Sequence, residues 1–158
     1  MITDAHWMRR AIAKARDGVA AGQTPFGACI VRGDDEEVVV AHNVVLATTD
    51  ITAHAEVTAI REACRLQRTI DLAGCTIYST CEPCPMCFAA CHWANFDRIV
   101  YGASIADAAR CGFRELSISN EEMKRHGGSK VAIEAGCLRD EALELFADWM
   151  RLPGRRTY

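Results

Sequence analysis

TCEPCPMCFAACH, residues 80–92, contains four cysteines and one histidine within thirteen positions. So many sulfur ligands in so short a stretch are compatible with a disulfide cluster, an iron–sulfur centre, a structural zinc or a catalytic zinc. The choice among them depends on where the secondary structure places each thiol.

The second half of this stretch has the pattern of a helix that begins near Cys84. Prolines flank Cys84 on both sides, and proline is favoured in the first turn of a helix. Cys84 and Cys87 are three residues apart, so their thiols share one face of that turn, where the helix N-terminus favours thiolates. Cys81 and Cys91 are predicted to be core residues rather than ligands.

A third ligand is available in TAHAE, residues 52–56, which also opens a predicted helix. If the two helix N-termini meet at the same end of a sheet, His54 completes a set of three protein ligands. Zinc would then keep one open position, as in catalytic sites. Glu56 would lie beside it as a general acid and base. Alternatively, Glu56 only stabilises the helix N-terminus electrostatically.

The iron–sulfur alternative rests on the spacing Cys-x2-Cys-x2-Cys-x3-Cys, which matches a bacterial ferredoxin run. Three features disfavour it. His92 stands where the ferredoxin pattern has proline, the run occurs once, and it crosses a predicted strand–helix junction.

The rest of the chain alternates between strand and helix patterns, which predicts an α/β fold with parallel crossovers and a sheet covered on both faces. At 158 residues it is expected to form a single domain, 1–158. Strands are predicted at 27–32, 37–42, 75–80, 97–102 and 130–134, with a hairpin turn at 33–35. Helices are predicted at 4–22, 53–67, 84–94, 105–110, 121–126 and 140–152.

Composition narrows the class of protein. A formal net charge of −3 argues against a broad nucleic-acid surface. The nine cysteines are mostly scattered singly through apolar stretches, which indicates a reducing compartment without disulfides. The N-terminal segment lacks the pattern of a signal peptide, and no apolar run is long enough to span a membrane. We therefore expect a cytoplasmic protein with no membrane partner.

His54-Ala55-Glu56 and residues 80–87 together resemble the signature of the cytidine deaminase-like superfamily. The resemblance implies a three-layer α/β/α fold with a mixed five-stranded sheet, one Zn²⁺ per chain and hydrolytic deamination. Residues 54–64 and 107–113 are most similar to the bacterial guanine deaminases of that fold. Two departures are Ile51, where many relatives have proline, and Arg114, where Bacillus-type relatives have an acidic residue.

By this resemblance the reaction is the conversion of guanine to xanthine and ammonia, with Glu56 and Glu115 as proton carriers. Substrate contacts are implied for several further positions. Asn43 would hydrogen-bond the base, and Ala55 would offer backbone near the metal. Phe26 and Trp93 would sandwich the base, and Tyr158 would close over it.

Several alternatives stay open from sequence. The substrate is alternatively another purine nucleoside, a triazine or cytosine. A tRNA adenosine deaminase would need a basic rim, whereas the last predicted helix, DEALELFADWM, is acidic to neutral. A zinc-stabilised binding module would keep the ligands but would not need Glu56. The resemblance further implies a homodimer that binds a small nucleobase.

Overall fold

The computed structural model describes residues 2–33 and 35–158. That part of the chain contains seven α-helices and five β-strands. None of the described helices is long and apolar enough to cross a membrane. The strands are β1 Gly27–Arg32, β2 Glu36–His42, β3 Cys75–Cys81, β4 Arg98–Ala103 and β5 Ala132–Glu134. The helices are α1 Asp4–Ala20, α2 Val45–Thr48, α3 Ala55–Gln67, α4 Pro85–Trp93, α5 Ile105–Arg110, α6 Asn120–Gly127 and α7 Arg139–Met150.

The described strands form one mixed sheet in the order β2-β1-β3-β4-β5. β1 pairs antiparallel with both β2 and β3, whereas β3–β4 and β4–β5 are parallel pairs. The helix α4 links β3 to β4, and α5 and α6 link β4 to β5. The predicted mixed five-stranded sheet of the cytidine deaminase-like fold is therefore confirmed in the described residues.

Successive side chains of the strands point alternately to the two faces of the sheet, and both faces are covered by apolar packing. Ile30, Ile77 and Ile99 pack under one face, together with α3 and α4. Their sequence neighbours Val31 and Val100 pack on the opposite face with α1. This period of two places helices on both faces, and the result is the expected three-layer arrangement.

The predicted element boundaries need small corrections. α3 begins at Ala55 rather than at residue 53, because His54 has an extended backbone and forms the N-cap. The last strand starts at Ala132 rather than at residue 130, since only three of its residues pair with β4. The four-residue α2 was not predicted, because so short a helix shows no periodic pattern. Asp34, in the middle of the predicted hairpin turn, lies outside the described residues.

One edge of the sheet collects the ends of several strands. Gly27, the first residue of β1, pairs with His42 at the end of β2, and Ala28 pairs with Ser79 near the end of β3. The end of β3 at Cys81 is in turn level with the end of β4. α4 and α5 begin just beyond the ends of β3 and β4 at this edge, so it is the natural place for a site.

Candidate active site

Two helix N-termini meet at this edge of the sheet. His54 is the N-cap of α3 and Cys84 is the N-cap of α4, and both have extended backbone conformations. In the described structure neither side chain bonds to its own helix, so the imidazole and the thiol stay available to a ligand. Pro85 occupies the first position of α4, as its fixed φ and missing N–H favour.

Three ligand atoms converge between these helices. Nδ1 of His54 lies 3.6 Å from Sγ of Cys84 and 3.6 Å from Sγ of Cys87. The three atoms lie within 4.8 Å of one another, and this is the one such group of His, Cys, Asp and Glu found among the described residues. One nitrogen and two sulfurs fit Zn²⁺ in a site with three protein ligands and an open fourth position.

The two remaining cysteines of the run do not join this group. Cys81 and Cys91 are both buried in apolar clusters, Cys81 on β3 and Cys91 in the last turn of α4. Burial raises the pKa of both thiols well above the ordinary value, so they favour the neutral form. An iron–sulfur cluster on four cysteines is therefore not assembled by the described residues.

The protonation of the candidate ligands already favours metal binding. A hydrogen bond from the Cys87 thiol, helped by His54, lowers the pKa of Cys84 to about 4. The same bond and burial raise the pKa of Cys87, which keeps its proton while no metal competes. Burial lowers the pKa of His54, but the bond to Cys84 and the charge of Glu56 outweigh it and raise the pKa overall. One thiolate is thus favoured at Cys84, and metal binding would displace the proton that Cys87 keeps.

Glu56 lies in the first turn of α3 and is buried beside this group. Its Oε1 lies 3.0 Å from the hydroxyl of Ser79 on β3. Burial raises the pKa of Glu56, and the nearby Cys84 thiolate raises it further. A buried carboxyl group with a raised pKa, next to three potential metal ligands, is suited to accept and return a proton.

A cavity of about 340 Å³ opens over the candidate metal group. Glu115 lines it, and burial raises the pKa of Glu115 to about 7, with further contributions from the charges of Cys84 and Glu56. A carboxyl group with this pKa is available in both protonation states near neutral pH. The cavity is lined by Ile51, His54, Cys84, Pro85, Met86, Phe113, Arg114, Glu115, Leu116 and Tyr158.

Tyr158 lies over its own chain's cavity. Its ring centroid is 5.7 Å from that of His54, and its hydroxyl is 2.9 Å from Oγ1 of Thr24. Its main-chain oxygen accepts a hydrogen bond from the backbone N–H of Arg114. The last residue of the sequence is therefore fixed at three points around the candidate site.

Asn43 is fully buried just after β2 and is connected to Tyr158 through Thr24, which forms hydrogen bonds with both residues. Its Nδ2 donates to the main-chain oxygen of Thr24 at 2.6 Å, and its backbone N–H donates to Phe26. Its Oδ1 has no hydrogen-bond partner among the described residues. A buried amide oxygen without a partner is costly, although Asn43 is not among the residues that line the cavity.

The predicted aromatic sandwich is not found around this cavity. Trp93 ends α4, about 13 Å along the helix from Cys84, and is 82% exposed, so it does not line the cavity of its own chain. Phe26 does not line it either, because its ring packs edge-on against Phe113 and Phe146. Ala55 is buried as the first residue of α3, between His54 and Glu56.

The structure also adds residues that sequence reasoning missed. Phe113 and Met86 line the cavity, and Ser79 contacts Glu56. Ser79 had a signal in the sequence: alternation along β3 puts it on the same face as Ile77, toward α3, where a hydroxyl needs a polar partner. The sequence signal for Met86 was weaker and consisted only of its position between Cys84 and Cys87, the two predicted metal ligands at the start of α4.

Comparison with known proteins agrees with this geometry. A family model described as "Cytidine and deoxycytidylate deaminase zinc-binding region" matches residues 1–103. The chain is 38% identical over 153 residues to the guanine deaminase of Bacillus subtilis, and this alignment covers 96% of this chain and 97% of that protein. It is 31% identical over 151 residues to the tRNA-specific adenosine deaminase of Bacillus subtilis, covering 96% and 91%. A solved structure of the guanine deaminase from Nitrosomonas europaea superposes with a TM-score of 0.89 at 25% identity, covering 96% and 87%.

Proposed function

We infer that this chain, which belongs to the cytidine and deoxycytidylate deaminase family, hydrolyses guanine to xanthine and ammonia. The family and the full-length match to a guanine deaminase make it a hydrolytic deaminase. The observation that carries the choice of guanine is the 38% identity over 97% of that relative, against 31% for the tRNA-specific adenosine deaminase of the same organism.

We propose that His54, Cys84 and Cys87 hold one Zn²⁺ per chain. The support is the convergence of their Nδ1 and two Sγ atoms and the thiolate that Cys84 already presents. When bound, zinc lowers the pKa of a water toward neutrality and so supplies a nucleophile at neutral pH. Ala55 would contribute backbone beside this group.

Asn43, Glu115 and Tyr158 would bind the base. The orphaned Oδ1 of Asn43 would accept a hydrogen bond from a ring N–H. Glu115 would accept from the exocyclic amine or a ring N–H, and the Tyr158 ring would cover the open side of the cavity. These three residues come from three different parts of the chain, so a flat heterocycle would be held at several edges.

Glu56 would carry the protons of the reaction. It would take a proton from water as the C2–O bond forms and pass it to the ring nitrogen next to C2. It would then take the remaining proton of the added hydroxyl and deliver it to the exocyclic nitrogen as the C2–N bond breaks, and ammonia would leave. Water and guanine thus become xanthine and ammonia with no proton left over. The raised pKa of Glu56 suits both directions of transfer.

A free base suits the cavity better than a nucleic acid. Its volume of about 340 Å³ is at the small end of ligand pockets. Apolar side chains stand around it, with Ile51, Met86 and Leu116 exposed, and Arg114 is the one lysine or arginine among its lining residues. This rim lacks the cluster of basic side chains that would hold a phosphate backbone.

We further propose that the protein is a cytosolic homodimer. All nine cysteines are unpaired, as a reducing compartment permits. Met86 and Trp93 expose an apolar face of α4, which is suited to contact a second copy.

The test is ammonia release by the zinc-loaded protein from guanine, guanosine, adenine, cytosine, cytidine and ammeline. Release from guanine, with much slower release from the other five, is the expected result. Preferred release from another member would keep the deaminase class and refute guanine as the substrate. No release from any of them would direct attention to a tRNA adenosine or to a binding module.

A further inference from the structure

Glu82 is a buried carboxylate that the proposed reaction does not use. It follows β3 directly, two residues before Cys84, and is only 7% exposed. Its Oε2 accepts a hydrogen bond from the backbone N–H of Ile105 at 3.0 Å, and its Oε1 accepts one from the backbone N–H of Asn120 at 2.9 Å. A single carboxylate therefore binds two points of the backbone that are fifteen residues apart in the sequence.

Those two points lie on either side of the segment that carries Glu115. Ile105 is the first residue of α5 and Asn120 is the first residue of α6. Residues 113–119 between the two helices have no regular secondary structure. Phe113, Arg114, Glu115 and Leu116 of this segment line the cavity.

A second bond connects the same point to the metal-ligand turn. Nδ2 of Asn120 donates to the main-chain oxygen of Pro83 at 2.6 Å. Asn120 is fully buried, so this contact is shielded from water. The end of the Glu115 segment is thus fixed to the residue that immediately precedes Cys84.

We propose that Glu82 is a positioning residue for Glu115. By holding Ile105 and Asn120 at the same time, its carboxylate sets the path of residues 111–119 and keeps Glu115 facing the cavity beside Cys84. This inference rests on the proposed function, in which Glu115 binds the base. It assigns to Glu82 no contact with substrate or metal.

The test is a double-mutant cycle of Glu82→Gln and Glu115→Gln in the zinc-loaded enzyme, with guanine as substrate. Glutamine keeps the size of Glu82 but turns an NH₂ group toward one of the two backbone N–H groups. We expect Glu82→Gln alone to lower kcat/KM about tenfold, mainly through a higher KM, at unchanged zinc content. In the Glu115→Gln background, Glu82→Gln should change kcat/KM by less than about twofold, because its effect passes through Glu115.

Asp107→Asn is the matched control. Asp107 is a buried carboxylate of α5 that accepts from the backbone of Ser104 and pairs with Arg139. It caps the same helix without reaching α6. We expect this variant to lose stability and to keep the KM for guanine.

Two results would overturn the inference: effects of the two substitutions on kcat/KM that multiply, or loss of zinc from the Glu82→Gln protein. Wild-type protein without guanine deaminase activity would instead refute the proposed function. Amide hydrogen exchange then decides on Glu82 independently of activity. Faster exchange of residues 111–119 in Glu82→Gln, with β3 unchanged, supports the role, and unchanged exchange of that segment contradicts it.

Discussion

Ser79 has one hydroxyl hydrogen and two acceptors within reach. Its Oγ lies 2.6 Å from the main-chain oxygen of Cys81 and 3.0 Å from Oε1 of Glu56. An ionised Glu56 accepts from this hydroxyl, whereas a protonated Glu56 donates to it while Ser79 donates to the carbonyl. The hydroxyl therefore holds the proposed proton carrier in both of its states.

We predict that Ser79→Ala lowers kcat about tenfold and leaves KM for guanine nearly unchanged, because the lost bond orients Glu56 and does not touch the base. Steady-state kinetics at equal zinc content measures both constants. Ser79→Thr keeps the hydroxyl and should restore most of kcat. A kcat that Ser79→Ala leaves at the wild-type value would contradict this account.

Glu115 makes the stability of the metal-free protein depend on pH. Burial raises its folded pKa to about 7 from an ordinary value of 4.5. Between these values the folded state binds more protons than the unfolded state, so this group lowers the free energy of unfolding as pH rises through that window. We predict that Glu115→Gln is more stable than wild type by about 1–3 kcal/mol at pH 8 and not at pH 4. Urea unfolding of chelator-treated protein at several pH values measures this difference, and an equal effect at both pH values would refute it.

For single helices and strands, the sequence predicted those features that are determined by neighbouring residues in the chain. Proline at the first turn and a spacing of three residues placed Cys84 and Cys87 on one face of α4, and the structure brings both close to His54. Phe26 and Trp93, which were predicted to sandwich the base, do not line the cavity of their own chain, because the direction of these side chains depends on how the helices and strands pack. That information is tertiary, and no local pattern carries it.

The packing of α1 against β1 depends on a glycine. A Cβ on Gly27 would lie 2.2 Å from the main-chain oxygen of Ala11 and 2.9 Å from the backbone nitrogen of Ala15. We predict that Gly27→Ala lowers the free energy of unfolding by about 1–3 kcal/mol, since the helix must move away from the sheet.

Gly127→Ala is the control for this substitution. Gly127 is the last residue of α6, and a Cβ there meets nothing within 4 Å among the described residues. Its stability should stay the same or rise by about 0.5–1 kcal/mol. Urea unfolding of both variants gives the comparison, and equal stabilities of the two would contradict the packing argument.

For the whole molecule, the alternation of strands and helices was enough to predict an α/β sheet covered on both faces. The mixed five-stranded sheet followed only from the resemblance, and the strand order β2-β1-β3-β4-β5 was not predicted, because the hydrophobic pattern of a strand does not reveal its neighbours. The resemblance to the cytidine deaminase-like superfamily is confirmed by the family match over residues 1–103. The unpartnered Oδ1 of Asn43 and the two backbone hydrogen bonds of Glu82 could not be predicted from the sequence. Both depend on residues that are far apart in the sequence.

If the proposed homodimer forms through the exposed apolar face of α4, a charge on that face should weaken dimerisation. Trp93→Glu puts a charge on the exposed apolar face of α4 and should raise the dimer dissociation constant at least about tenfold. Leu152→Glu is the control, because it changes an exposed leucine just after α7, which packs on the opposite face of the sheet. Sedimentation velocity over a range of concentrations measures both. A Trp93→Glu protein that dimerises as tightly as wild type would rule out this face as the interface.

Hydrolysis with Glu56 as the proton carrier is tested most directly by the deamination of guanine in water enriched in oxygen-18, with wild type and Glu56→Gln at equal zinc content. We predict one ammonia released per guanine consumed, one labelled oxygen in each xanthine, and a rate at least about 10³-fold lower in Glu56→Gln. Xanthine without the label, or a Glu56→Gln variant as fast as wild type, would contradict this mechanism.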